Sequence, residues 1–302
     1  MGTTEFINSF YKFYVYMWNV LRSIMDKPTS KRQTSYKFLI FLVLLLSFGC
    51  TYVFLIHPVV EYRDHIEEFP LSKLQEPQMP FKSMELQKDS TYSIVEIEKQ
   101  NTFIALPADV DNSRPINIVL YSHGSITSVT KDIDEEFIQF LISYATYFTD
   151  KGYIFAASNE HAPGWGSKSV LADMDNTLSY ILDTNNIEED YRLNLLGYSM
   201  GGLSSFNYAI QSPDKVSSIA LIAPTTRHNT WSGAEYTALK DIPIKIWHGT
   251  KDVNIFVGNS QNFALAAEKY DKEIQIELLQ NETHWIKKIT LKKSIFEFLE
   301  EE

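Results

Sequence analysis

A serine hydroxyl becomes a useful nucleophile only when a base can take its proton. Ser199 stands in LNLLGYSMGGLSSF (193–206), after an apolar run and before a helix-like one, framed by Gly197 and Gly201. The pattern G-x-S-x-G marks a sharp strand-to-helix turn where backbones crowd and the serine is presented at the corner. Alone, such a pattern also arises by chance. The acyl transfer it implies requires three further things: a base, an acid that orients the base, and donors for an oxyanion.

Candidates for the first two stand after later apolar runs. Asp252 follows IPIKIWHG (242–249) in the stretch HGTKD, and His284 follows IQIELLQ (274–280) in NETHW. No other histidine follows that last run. His123 and His248 each precede a glycine at a strand end and are expected to brace loops. His161, in NEHAPGWGS, is also expected to be structural, with substrate contact as its alternative. Asp241 and Asp271 read as surface charges. No Cys/His cluster or HExxH is present, so no metal is expected. Neither GxGxxG nor GxxxxGK[ST] occurs, so no nucleotide cofactor is expected.

The elements that must position these residues alternate regularly from about residue 91. YSIVEIE and TFIALPA predict paired strands. INIVLYS (116–122), GYIFAAS (152–158), LNLLG (193–197), VSSIALIA (216–223), IPIKIWHG and IQIELLQ predict further strands. Helical patterns lie near 132–149, 168–183, 200–210, 257–270 and 285–300. Apolar strands alternating with helices specify an α/β architecture, a mostly parallel sheet covered on both faces. Such a sheet binds ligands at the carboxyl ends of its strands, where Ser199, Asp252 and His284 all fall.

The 302 residues are 44% hydrophobic and 14% aromatic, which suits a globular core. Six of 27 Lys/Arg and two of 38 Asp/Glu lie in residues 1–56, leaving 21 basic against 36 acidic residues beyond. An acidic body argues against a nucleic-acid partner. The single cysteine, Cys50, excludes an internal disulfide. Residues 38–56, FLIFLVLLLSFGCTYVFLI, hold nineteen uncharged positions and are expected to form a transmembrane anchor. Lys27, Lys31, Arg32 and Lys37 precede it, whereas only Arg63 and Lys73 follow within twenty residues. That bias predicts a cytoplasmic segment 1–37 and an extracytoplasmic body in a single-pass arrangement. Residues 6–25 read as an interfacial helix, with a second span as the alternative. Residues 57–90, charged and dotted with prolines, read as a juxtamembrane linker, and 91–302 as the catalytic domain.

Over residues 91–302 the sequence resembles the α/β-hydrolase superfamily of serine esterases, lipases and acyl-peptidases. SHGS (122–125), PGWGS (163–167), GYSMGG (197–202), HGTKD (248–252) and THW (283–285) carry the resemblance, each at a strand end and in the family's order. It implies an eight-stranded sheet and a triad in which Ser199 attacks, His284 shuttles the proton and Asp252 orients His284. It also implies an oxyanion hole made by the backbone N–H groups of Ser125 and Met200. Relatives often carry a cap domain after the strand that ends near Ala223. Here about eighteen residues leave room for a short loop at most, with Trp231 and Tyr236, and Trp165 from PGWGS, as candidate pocket walls. The expected substrate is a small ester. An acyl or peptide substrate, as for a peptidase or acyl-peptide hydrolase, is one alternative; a non-catalytic binding protein on the same scaffold is the other.

Overall fold

The computed structural model describes residues 90–110, 114–188, 190–288 and 290–301. The expected cytoplasmic segment 1–37, the anchor 38–56 and linker residues 57–89 lie outside the described residues. Among the described residues no helix is long and apolar enough to cross a membrane.

Among the described residues there are eight strands: β1 (Thr91–Ile97), β2 (Gln100–Leu106), β3 (Ile116–Ser122), β4 (Ile154–Ser158), β5 (Tyr191–Tyr198), β6 (Val216–Ile222), β7 (Ile244–Gly249) and β8 (Gln275–Leu279). They form one sheet in the order β1-β2-β4-β3-β5-β6-β7-β8. β2 pairs antiparallel with both β1 and β4, and every other pairing is parallel. The α-helices among the described residues are α1 (Glu136–Thr149), α2 (Lys168–Thr184), α3 (Met200–Gln211), α4 (Gly233–Ala238), α5 (Gly258–Glu268) and α6 (Leu291–Glu301).

Strand composition explains the order. β3 to β7 are apolar on successive residues and almost wholly buried, as strands covered on both faces must be. β1 alternates exposed and half-buried positions and lies at the edge. Because side chains alternate across a strand, Ile118 and Leu120 enter the core cluster that includes Leu195 and Phe206. Val119 and Tyr121 enter the opposite one, with Phe155, Trp247 and Phe298.

Two elements depart from expectation. The last helix begins at Leu291 rather than near 285. Residues 282–288 instead turn back around His284, with the Lys287 N–H donating to the Glu282 carboxylate at 2.9 Å. The segment after β6 forms more than a short loop. It contains a 3-10 turn at His228–Thr230 and the helix α4. That helix starts at a capping box, in which Ser232 accepts the Ala234 N–H and Glu235 accepts the Ser232 N–H. The S-x-x-E signal for it is present in the sequence.

Candidate active site

The parallel pairing of β3 with β5 sets Ser122 opposite Gly197, so both strands end at one level and their following turns meet. Gly201 lies so close to β3 that a Cβ there would fall 1.9 Å from the Ser122 carbonyl oxygen. This contact explains the glycine and draws the start of α3 tightly against the sheet.

Ser199 occupies the corner itself, with φ 53° and ψ −117°. Such a backbone costs about 1–3 kcal/mol in a residue other than glycine and persists only where neighbours enforce it. Here they do. The Ser199 N–H donates to Ile222 O at 3.0 Å, and its carbonyl accepts from Thr225 N at 2.8 Å and Gly202 N at 3.0 Å. Ser199 is half-buried, whereas the residues around it are almost all closed to solvent.

The structure brings Ser199, Asp252 and His284 together from three separate strand ends. His284 Nε2 lies 3.0 Å from Ser199 Oγ, and its Nδ1 lies 2.8 Å from Asp252 Oδ2. A carboxylate oxygen can only accept, so Nδ1 carries the proton. Nε2 is then free to accept the serine proton. Asp252 Oδ1 accepts the N–H groups of Asn254 and Ile255, each at 2.8 Å. Burial pushes the Asp252 carboxyl up, but hydrogen bonds from His248 and His284, the His284 charge and the Ile255 amide outweigh it and hold it at about 2.

The Ser125 and Met200 amides stand at the turns flanking Ser199. Met200 opens α3, and the first N–H groups of a helix have no acceptor within it. A Cβ added to Gly124 would lie 3.7 Å from Ser199 Cβ, which places the His123–Ser125 turn beside the serine. His123 braces that turn from within. It is fully buried, with Nδ1 2.8 Å from Gly124 O and Nε2 3.0 Å from Asn159 O. Burial lowers its pKa against the pull of those two carbonyls.

Several residues that shape the site have little or no sequence signal. Tyr198 donates to the His284 carbonyl at 3.3 Å, and its ring meets those of His284 and Trp285 at 5.2 and 5.4 Å. Glu160, after β4, is buried and accepts from Ser122 Oγ, at the end of β3, at 2.6 Å. Its other carboxyl oxygen and the Ser204 hydroxyl are buried without a partner of good geometry. Burial pushes the Glu160 carboxyl up to about 8, and the Ser122 and Ser204 hydroxyls only partly oppose this. The neighbouring His161 bonds Asp173 at 2.6 Å. His248 reaches Asp252 Oδ2 at 3.1 Å.

The expected aromatic walls divide. Trp165 is 41% exposed, with the Arg227 guanidinium 5.4 Å from its ring. Tyr236 is only 3% exposed, a correction to its reading as a pocket wall. It stacks on Tyr270 at 4.7 Å. Trp231 likewise turns inward, edge-on to Phe206 and Phe263 at 5.3 Å each. Tyr236 lies on α4, a helix absent from the expectation, and is buried, whereas Trp231 precedes that helix and stays half-buried against the core. Among the described residues no group of three or more His, Cys, Asp and Glu side chains is arranged to hold a metal ion.

Comparison with known proteins agrees with this geometry at the level of fold. Residues 157–269, which include Ser199 and Asp252, match the family model described as alpha/beta hydrolase fold. No curated protein sequence matches the chain. Among solved structures, a thermostable esterase superposes with a TM-score of 0.54 at 17% identity, covering 72% of this chain and 64% of its own. The acylaminoacyl peptidase of Pyrococcus horikoshii gives 0.52 at 12% identity over 71% of this chain and 41% of its own. Oligopeptidase B of Leishmania major gives 0.50 at 14% identity over 70% and 36%. This chain therefore spans less than two thirds of the length of each of these neighbours. The sheet order, the serine turn at the end of β5 and the family match together establish that the described body of the chain has the α/β-hydrolase fold.

Proposed function

We propose that the chain is a serine hydrolase acting on carboxylic esters. The observation that carries this reading is the continuous contact from Ser199 Oγ through the His284 ring to Asp252, at 3.0 and 2.8 Å. In this reading His284 Nε2 takes the Ser199 proton as Oγ attacks the substrate carbonyl. Asp252 stabilises the imidazolium that results. The tetrahedral oxyanion meets the N–H groups of Met200 and Ser125. His284 then gives its proton to the leaving group, and a water repeats the sequence on the acyl-enzyme. The test is labelling by a fluorophosphonate probe, with turnover of p-nitrophenyl esters measured beside aminoacyl anilides. Labelling lost in Ser199→Ala together with ester turnover supports the reading. Labelling that persists in Ser199→Ala refutes it.

A peptidase is the second reading, favoured by the presence of peptidases among the structural neighbours. Faster turnover of the anilides than of the esters would establish it. We further propose that the hydrolase is anchored by 38–56 with its body outside the cytoplasm. The uncharged run and the excess of Lys/Arg before it support this. Alkaline phosphatase fused after Glu302 reports the topology: activity supports export, and an inactive fusion overturns it.

A further inference from the structure

Asp252 Oδ2 carries two imidazoles. His284 reaches it through Nδ1 at 2.8 Å, and His248, the penultimate residue of β7, reaches it through Nε2 at 3.1 Å. The second histidine has its own serine: Ser260 Oγ, in the first turn of α5, lies 2.8 Å from His248 Nδ1. Ser260, His248 and Asp252 thus form a second Ser–His–Asp chain on the same carboxylate oxygen, with the ring nitrogens exchanged: His248 meets Asp252 through Nε2 and Ser260 through Nδ1. His248 and Ser260 are both 0% exposed, so this second chain cannot meet a substrate.

Hydrogen-bond chemistry determines the state of the His248 ring. Nε2 faces the Asp252 carboxylate and, at 2.9 Å, the Ile255 carbonyl. Both groups only accept, so Nε2 carries the proton. In the neutral ring Nδ1 must then accept, and the Ser260 hydroxyl is the donor that satisfies it. A histidine needed only to brace the loop after β7 would require the Ile255 carbonyl alone. The bond to Oδ2, the same oxygen that orients His284, goes beyond bracing. With the Asn254 and Ile255 amides on Oδ1 and His284 Nδ1–H on Oδ2, the carboxylate receives three undivided donors and a share of the His248 Nε2–H, which is divided with the Ile255 carbonyl. It cannot rotate about Cβ–Cγ without breaking at least one of these bonds.

We infer that His248 is a positioning residue for acyl transfer: it fixes Asp252 Oδ2 where the His284 Nδ1–H meets it, and Ser260 fixes the tautomer in which His248 can do so. The inference rests on the serine-hydrolase reading above. Losing the clamp frees the carboxylate to swing, which misorients His284 during proton transfer while leaving the substrate surface untouched. Misplacement of this kind lowers kcat by roughly 10- to 100-fold with KM little changed.

The experiment compares His248→Leu with His248→Gln on p-nitrophenyl butyrate, with the low-field proton resonance of the His284–Asp252 bond as a second readout. Gln can place an N–H donor near the position of Nε2, whereas Leu supplies none. The expected result is a large fall in kcat for His248→Leu, loss or broadening of its low-field resonance, and recovery of both in His248→Gln. A kcat within about threefold of the parent in His248→Leu overturns the inference, as does equal damage in both variants. If His248→Leu does not fold, Ser260→Ala decides: kcat reduced and restored in Ser260→Thr supports the clamp, and unchanged kcat in Ser260→Ala overturns it. Ser199→Ala is run in parallel. Turnover that survives there rejects the serine-hydrolase reading itself, whereas turnover lost there but retained in His248→Leu rejects only the clamp.

Discussion

Gly201 and Ser122 touch so closely that a side chain at position 201 would overlap the backbone of β3, with a Cβ 1.9 Å from Ser122 O and 2.4 Å from Ser122 C. The obstacle is main chain within a parallel pairing, not the movable end of a side chain. Gly201→Ala should therefore cost more than the usual penalty of about 1–3 kcal/mol for overpacking. It should lower the melting temperature and, by tilting α3, abolish ester turnover. A Gly201→Ala protein with parental stability in a thermal melt would show that the turn can relax.

The three side chains joined through His284 are expected to act as a unit. Ser199→Ala and His284→Ala should each remove nearly all turnover, and the double variant should be little worse than either. Asp252→Asn should retain a small residue of activity, because the amide keeps the shape but presents the wrong hydrogen-bonding partner to Nδ1. Additive losses, measured as kcat/KM across the single and double variants, would contradict a shared role.

The donors assigned to the oxyanion are backbone groups, so side-chain deletion and amide deletion should differ at Ser125. Ser125→Ala should be mild. Ser125→Pro removes the N–H and should cut kcat by about 10² or more. Normal kcat in a folded Ser125→Pro protein would place the oxyanion elsewhere.

Glu160 makes stability depend on pH. Its carboxyl ordinarily titrates at 4.5 but is pushed up to about 8 by burial. The folded chain thus holds a proton that the unfolded chain releases. The contribution is complete below pH 4.5 and is lost as pH rises through 8. Glu160→Gln keeps the shape without the titration. The parent should lose stability relative to this variant between those pH values, by on the order of a few kcal/mol in total. Thermal melts of both proteins across that range measure the difference, and curves that run parallel would exclude a buried, proton-holding Glu160.

The sequence by itself determined the alternation of strands and helices, because apolar runs bounded by polar turns reflect local burial. It also marked Ser199, Asp252 and His284, since each follows an apolar run and the G-x-S-x-G spacing is local. The Ser232-to-Glu235 capping box is a local signal that the expectation of a short loop after β6 does not use. Tertiary structure alone decided what these residues touch. That Glu160 meets Ser122 depends on the pairing of β4 with β3, a contact between residues far apart in the chain. That Tyr236 is core rather than pocket depends on the face α4 turns toward Phe263 and Tyr270. The place of His248 before Gly249 predicts only a loop brace. Its bond to Asp252 Oδ2 emerges only when the loop after β7 folds back, because four residues along the chain fix a spacing but not the direction of two side chains.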